Sequence, residues 1–248
     1  MFPGESTELS CVSDPGDALD RVRSLLDGAE HSAVVSIHEA YLDAIRPELE
    51  AARDRDALVV LLVYDCHTVV DPVTDFEPIA SIARQTERIV PMYCVVDDLH
   101  GLYGDPELLV ADDPALRASI VHNRDIAYAL YGHLVGNYWR AGVETHSPEP
   151  PALPVSSDDV RGLVIDAAVH LRQATPIVAT VEPVPSEDRD EIEGPVIDAT
   201  QALLSPADSA VSLQSTLVLR TDTGRTTVGG PGAYLEDVKA VSGTLRAM

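Results

Sequence analysis

The chain has 248 residues and a formal net charge of −24, from 41 acids against 17 bases. Apolar residues make up 45% of it, which excludes a disordered acidic tail: such a tail cannot bury enough apolar surface to offset its chain entropy. The charge argues against nucleic-acid or anionic-membrane binding by this chain's own surface, because the densest basic segment, Arg53-Asp54-Arg55, is already interrupted by acid.

The acids divide into 25 Asp and 16 Glu, and the bases into 16 Arg and one Lys, Lys239. An Asp-rich, Lys-poor surface on an ordinary apolar core is similar to the composition of haloarchaeal proteins. There, molar salt screens self-repulsion within about 3 Å. The alternative is an ordinary acidic cytosolic protein. Cys11, Cys66 and Cys94 show neither CxxC nor zinc spacing, and their odd number argues against a disulfide framework. No stretch approaches the ~20 apolar residues of a membrane span. The start, Met1-Phe2-Pro3-Gly4-Glu5, has no basic region followed by an apolar one, so the expected location is the cytoplasm, without a signal peptide.

Residues 1–13 read as a tail. Asp14-Pro15 supplies an N-cap with proline at the first helical position, and Leu19, Val22, Leu25 and Leu26 stripe a helix ending near Gly28. Residues 33–37 read as a buried strand. A helix over 39–55 places Leu42, Ile45, Leu49 and Ala52 on one face, with Pro47 kinking it or starting its main part. Residues 58–64, LVVLLVY, are apolar on both faces, which predicts a parallel sheet covered by helices. A short helix near 76–85 follows, then strands within 88–96, 102–104 and 118–122. A long helix over 124–140 carries Ala127, Leu130, Tyr131, Leu134 and Tyr138 on one side.

Residues 147–155 form a linker with four prolines between Ser147 and Pro154, stiff and extended. It separates an α/β part, 14–146, from a β-rich part, 156–248. In the second part, Ser156 and Asp159 resemble a capping box for a helix ending near Gln173. Strands are expected over 176–181, 194–204, 212–219 and 226–229, the last two joined by the turn Thr221-Asp222-Thr223-Gly224.

Several clusters carry possible chemistry. His38-Glu39, Asp65-Cys66-His67 and Asp71 follow strand ends, the edge at which α/β sheets bind ligands. They fit a metal or acid/base group, or simply a solvated acidic loop. His100-Gly101-Leu102 lacks the lysine of the phospholipase D motif HxKxxxxD. With Lys239 the only lysine, no HxK occurs anywhere, which excludes that phosphodiesterase chemistry. Asn137-Tyr138-Trp139-Arg140 suits a carbohydrate platform, or a helix end packed on the second part. Val228-Gly229-Gly230-Pro231-Gly232 matches no phosphate loop, but its bare backbone admits close approach. Six residues after Gly230 stands Glu236, whose carboxylate suits paired hydroxyls; glycines plus a carboxylate suit a sugar.

The segments 58–65, 95–102 and 136–139, the proline linker, and 228–237 together, in this order, resemble the effector portion of TrmB-type, sugar-responsive archaeal transcription regulators, the haloarchaeal members above all. The resemblance covers about residues 15–240. It implies a catalytically dead phospholipase-D-like α/β subdomain followed by a smaller β-rich C-terminal subdomain. It places the sugar in the second, near the junction, with Gly230 and Glu236 at family contacts. A family Asn contact falls on Ser215, which keeps a hydroxyl but loses the amide's donor–acceptor pair.

Family members begin with a winged helix-turn-helix and a dimerising helix. Nothing before Asp14 forms a recognition helix, so the expectation is a stand-alone sensor, a partner that supplies the DNA reader, or a start codon further upstream. The resulting expectation is a non-enzymatic sensor of a sugar or polyol, binding through Ser215, Gly230, Glu236, Asn137 and Trp139. It has no catalytic residue, metal or cofactor, and forms a homodimer or a heterodimer with a helix-turn-helix regulator. The alternatives are a ligand-independent module that modulates a full-length regulator, and a metal-dependent enzyme using the Asp65/His67 loop.

Overall fold

The chain order of the first unit (Met1–Ser147) is β1 (Glu8–Val12), α1 (Pro15–Asp27), β2 (Ser32–His38), α2 (Leu42–Asp54), β3 (Leu58–Tyr64), β4 (Ile82–Thr86), β5 (Met92–Val96), β6 (His100–Gly104), β7 (Ala118–His122), α3 (Arg124–His133) and β8 (Val143–His146). This computed structural model describes residues 8–67, 75–204 and 214–248.

Local signals set the first helices. The Asp14 side chain accepts from Asp17 N at 3.0 Å, Pro15 opens α1, and Gly28 caps it, leaving Ala18, Val22 and Leu26 buried. In α2 the buried face is Leu42, Ile45, Leu49 and Ala52, and Pro47 sits inside the helix rather than starting it. All seven residues of β3 are buried. A fully buried Leu61 or Leu62 contributes about 1.5–3 kcal/mol relative to exposure.

The eight strands form one sheet in the order β1-β7-β6-β5-β2-β3-β4-β8. Only β2, β3 and β4 run parallel to one another; β5, β6, β7, β1 and β8 pair antiparallel. The expected parallel sheet is therefore mixed, because β5 and β6 are joined by the short turn 97–99, and β6 and β7 by the loop 105–117, with no crossover helix in either. Helices α1 and α2 cover one face, over Ala33, Val35, Ile37, Val59, Leu61 and Val63. Helix α3 lies over β5 and β6 on the other. Its close approach needs Gly101, where a Cβ would meet Leu130 Cδ1 at 2.8 Å. Asp97, at φ 52°, turns its carboxylate onto Glu30 N, His31 N and Ser32 N at 3.0, 2.8 and 2.8 Å and so fixes the start of β2.

Two expected helices differ. Residues 82–86 are strand β4, not helix, and all five are buried, Arg84 and Gln85 included. Arg84 Nη1 donates to Gly142 O at 2.8 Å and Nη2 to Glu144 Oε2 at 3.5 Å, so its cation is paired at the sheet edge. The long helix over 124–140 is α3 to His133, then one π-type turn over Leu134–Tyr138 and a 3-10 turn over Trp139–Ala141.

The second unit (Pro148–Met248) contains β9 (Val155–Ser157), α4 (Val160–Arg172), β10 (Ile177–Pro183), β11 (Ile192–Thr200), β12 (Thr216–Thr221), β13 (Gly224–Gly229) and β14 (Val238–Ala247). Asp159, not Ser156, is the N-cap of α4, accepting from Arg161 N and Gly162 N at 3.2 and 3.0 Å. Ser156 instead pairs in β9 with Thr244. Strands β10 to β14 close on themselves: β14 pairs with β13 in parallel and with β10 antiparallel. Closure leaves these five strands paired on both sides. Helix α4 packs Val160, Leu163, Val164 and Ala167 onto Leu217, Leu219, Val228, Val238 and Leu245. Strand β14, which completes the ring, has no counterpart in the sequence expectations.

Candidate functional site

The loop between β13 and β14 is built around Glu236. Its two ends are neighbours, since Val228 lies opposite Val238 and Gly229 opposite Lys239. Inside, Ala233 N donates to Gly230 O at 2.9 Å, making a turn. The Glu236 side chain folds back onto Gly229, where a Cβ would meet Ala233 Cβ at 2.6 Å and Glu236 Cγ at 3.0 Å. Only a residue without a side chain admits that approach.

Two donors orient the carboxylate. Thr216 Oγ1, buried at the start of β12, donates to Glu236 Oε1 at 2.5 Å, and Leu235 N donates to Oε2 at 3.2 Å. Each oxygen retains a lone pair for a further donor. Glu236 makes no ion pair among the described residues. Next to it, Asp237 Oδ2 accepts from Thr227 N at 2.9 Å and from Thr227 Oγ1 at 2.8 Å, which ties the loop to β13. Those hydrogen bonds hold the Asp237 carboxyl below its ordinary value.

Ser215 precedes Thr216. Its hydroxyl oxygen is buried and has no hydrogen-bond partner among the described residues. An unsatisfied buried hydroxyl costs about 1–3 kcal/mol unless something reaches it. Gly230 and Gly232 are open: the nearest atom to a Cβ on Gly230 is Val160 Cβ at 3.9 Å, and a Cβ on Gly232 meets nothing within 4 Å. At the loop tip, Tyr234 and Leu235 are 93% and 78% exposed. Thr216 and Gly229, which shape the carboxylate, were not among the expected site residues; Thr216 adjoins Ser215, and Gly229 adjoins Gly230.

Asn137 and Trp139 belong to the first unit. Asn137 Nδ2 donates to His133 O at 3.0 Å. Trp139 is 0% exposed, with the Arg84 guanidinium 5.4 Å from its ring centroid. The platform reading of Trp139 is thereby corrected: a ring with no exposed face offers nothing for a sugar to stack on. The residue is core, held by Arg84 within its own unit.

The strand-end cluster is also built differently from an open acid/base site. His38 Nε2 and Asp65 Oδ2 are 2.9 Å apart, and His38 Nδ1 accepts from Ala40 N at 3.1 Å. Both ring nitrogens are thus engaged, with the proton on Nε2, and no lone pair is left for a metal or a substrate proton. Burial, then the Glu39 charge, pushes the Cys66 thiol up to about 11, so it is no nucleophile near neutral pH. His67 is exposed. Asp71 lies outside the described residues. Among the described residues no three His, Cys, Asp or Glu side chains gather as a metal site. A further groove, at the far end of the β12–β13 hairpin, is lined by Arg189, Arg220, Thr221, Thr223 and Thr226 and includes none of Ser215, Gly230 or Glu236.

Residues 8–146 match the family described as "Transcriptional regulator TrmB, EBD N-terminal subdomain", and residues 152–248 match "TrmB/TrmBL1, EBD C-terminal subdomain". The chain belongs to the TrmB effector-binding-domain family. Both TrmB subdomains are present in family order, and the loop at Glu236 lies in the C-terminal one. No curated protein matches this TrmB-family chain by sequence. Solved structures similar to it include Nuc, a phospholipase D family member from Salmonella typhimurium, at 17% identity and a TM-score of 0.42, covering 57% of this chain and 99% of that one. NucT from Helicobacter pylori is similar at 10% identity and a TM-score of 0.44, covering 56% and 99%. TrmBL2, described as an archaeal chromatin protein with a novel mode of DNA binding, is similar at 12% identity and a TM-score of 0.45. That likeness covers 56% of this chain and 55% of TrmBL2, so this chain spans about half of that relative's length. At such TM-scores none of the three carries a functional statement for the TrmB-family chain. No helix among the described residues is long and apolar enough to cross a membrane.

Proposed function

We propose that this chain is the sensing part of a transcription regulator, and that its second unit binds a sugar or related polyol at the loop around Glu236. The supporting observation is the Glu236 carboxylate, held by Thr216 and Leu235 N, without an ion-pair partner among the described residues and with acceptor capacity left on both oxygens. Adjacent hydroxyls of a polyol supply the matching donors. The open backbone of Gly230 lets the ligand approach, and the Ser215 hydroxyl supplies one further polar contact. Binding acts on a partner or on DNA only through its different affinity for two states of the protein. The reading carries no catalytic step. It places the protein in the cytoplasm of a salt-adapted cell, with DNA binding supplied by a helix-turn-helix outside these residues or on a second chain.

Calorimetric titration with a panel of mono- and disaccharides in molar KCl tests it. The expected result is saturable heat with at least one sugar for the wild type and none for Glu236→Ala. If neither protein gives heat with any sugar, the sensing idea fails.

A second reading is favoured by one observation. Tyr234 and Leu235, nearly fully exposed at the loop tip, present apolar surface to solvent. This suits a ligand-independent contact with a full-length regulator. Recovery of a helix-turn-helix protein in a high-salt pull-down, unchanged by added sugar and lost in Tyr234→Ser/Leu235→Ser, would support this reading over the first.

A further inference from the structure

The register of β1, β7 and β6 puts three cross-strand rows on one face of the first sheet: Val12–Ala118–Gly104, Ser10–Ile120–Leu102 and Glu8–His122–His100. Residues directly opposite one another share a face. The first two rows belong to the core covered by α1 and α2, through Val12, Ala118, Ile120 and Leu102. The third row carries no apolar side chain; it is a carboxylate and two imidazoles. The two rings meet, with centroids 4.5 Å apart and His100 Nδ1 3.0 Å from His122 Nδ1. Both are half-buried, so solutes reach them.

We propose that His100 and His122 bind a transition-metal cation of the Zn²⁺, Ni²⁺ or Cu²⁺ class through their Nδ1 atoms, with Glu8 turning in as third ligand and water completing the shell. Two nitrogens bound tetrahedrally to zinc stand about 3.3 Å apart, so the observed pair needs to open by about 0.3 Å and each ring to turn by about 35°, which brings both lone pairs onto the cation. The proton now shared between the two Nδ1 atoms moves to Nε2 of its own ring, a tautomer change that leaves each imidazole neutral and releases no proton. Imidazole ligands select this class over Mg²⁺ and Ca²⁺. The net charge of −24 favours a cation's approach.

Asp97, three residues before His100, is held in place by Glu30 N on Oδ2 and by His31 N and Ser32 N on Oδ1, so it cannot turn toward the rings without giving up these amides. That leaves Glu8, opposite His122 on the edge strand β1. As the side chains stand, no trio of such ligands gathers among the described residues, so the site is a preformed pair that a third ligand completes.

The test uses the full chain, stripped of metal and freed of chelator, with Zn²⁺ alone titrated in buffered KCl near neutral pH and followed by calorimetry. The expected result is one saturable Zn²⁺ per chain, undisturbed by excess Mg²⁺ and abolished in His100→Gln/His122→Gln. Glu8→Gln weakens it. The imidazole nitrogen signals of the wild type, which need no variant, shift at both His100 and His122 and report both rings as Nε2–H. The proposal is overturned by a wild type without a saturable phase, by a phase that survives in the double variant, or by nitrogen signals that move at other histidines instead. Glu8→Gln at unchanged affinity removes Glu8 from the site.

Discussion

The Thr216 hydroxyl, buried at the start of β12, donates to Glu236 Oε1 at 2.5 Å across twenty residues of chain and sets the direction of the only carboxylate in the β13–β14 loop that is not spent on β13. This relationship depends on Gly229. In Gly229→Ala the new methyl would lie 2.6 Å from Ala233 Cβ and 3.0 Å from Glu236 Cγ, so the carboxylate must move out. Sugar binding is expected to be lost in Gly229→Ala while far-UV circular dichroism stays that of the wild type. Binding at wild-type affinity in that variant would show that the ligand does not use Glu236 as it stands.

Ser215→Ala is expected to move stability and affinity in opposite directions. The buried hydroxyl has no partner among the described residues, so its removal leaves the free protein as stable or slightly more stable in thermal melts. The same change deletes a ligand contact and weakens sugar binding by about 1 kcal/mol, or ~5-fold. Loss of stability with unchanged affinity would assign the hydroxyl to the fold.

Trp139, the only tryptophan, is sealed beneath Arg84. Its emission is expected to be blue-shifted and nearly inert to acrylamide in the folded protein, turning red-shifted and quenchable on unfolding. Free quenching in the folded state would contradict the burial on which its removal from the sugar site rests.

Asp166, on α4, is a carboxyl that burial pushes from its ordinary 3.8 up to about 6. The folded state therefore holds this proton more tightly than the unfolded chain. Its stabilising contribution is complete below about pH 3.8 and is lost as pH rises through about 6, leaving a charged, half-buried carboxylate that costs at most about 3 kcal/mol at neutral pH. Asp166→Asn is expected to raise the melting temperature at pH 7.5 and to leave it nearly unchanged at pH 4, both in the same salt. An equal effect at both pH values would refute the assignment.

Ala174 follows α4 with φ 55°, its N–H donating to Leu171 O at 2.9 Å. An L-residue in this region costs about 1–2 kcal/mol that glycine does not. Part of that gain is offset by glycine's greater freedom in the unfolded chain. Ala174→Gly is expected to stabilise the protein by ~0.5–1 kcal/mol in thermal melts.

How much of this was legible in the sequence follows from where each signal resides. The cap at Asp14, the face Leu42-Ile45-Leu49-Ala52 and the run of β3 are local patterns, and the structure repeats them nearly residue for residue. Strand β4 resembles a helix in sequence because Arg84 and Gln85 interrupt its apolar pattern. The partners of Arg84, Gly142 O and Trp139 among them, are more than fifty residues away. Strand β14 has no clear sequence signal because Lys239, Ser242 and Gly243 dilute its alternation; what makes it a strand is closure with β10 and β13, a long-range property. At the candidate site, Gly230 and Glu236 stood out as glycine and carboxylate, and Ser215 came only from family resemblance. Thr216, an unremarkable threonine at a strand start, gains its role only when β12 meets the loop.

Lys239, the first residue after Val238 in β14, lies three positions past Glu236 and opposite Gly229. It is also the sole side-chain amine in the sequence. An amine-reactive fluorophore therefore has one side chain to modify, and that side chain adjoins the loop proposed to bind a ligand. The scarcity of lysine gives this protein a built-in position for a reporter dye, with no residue to be added or removed.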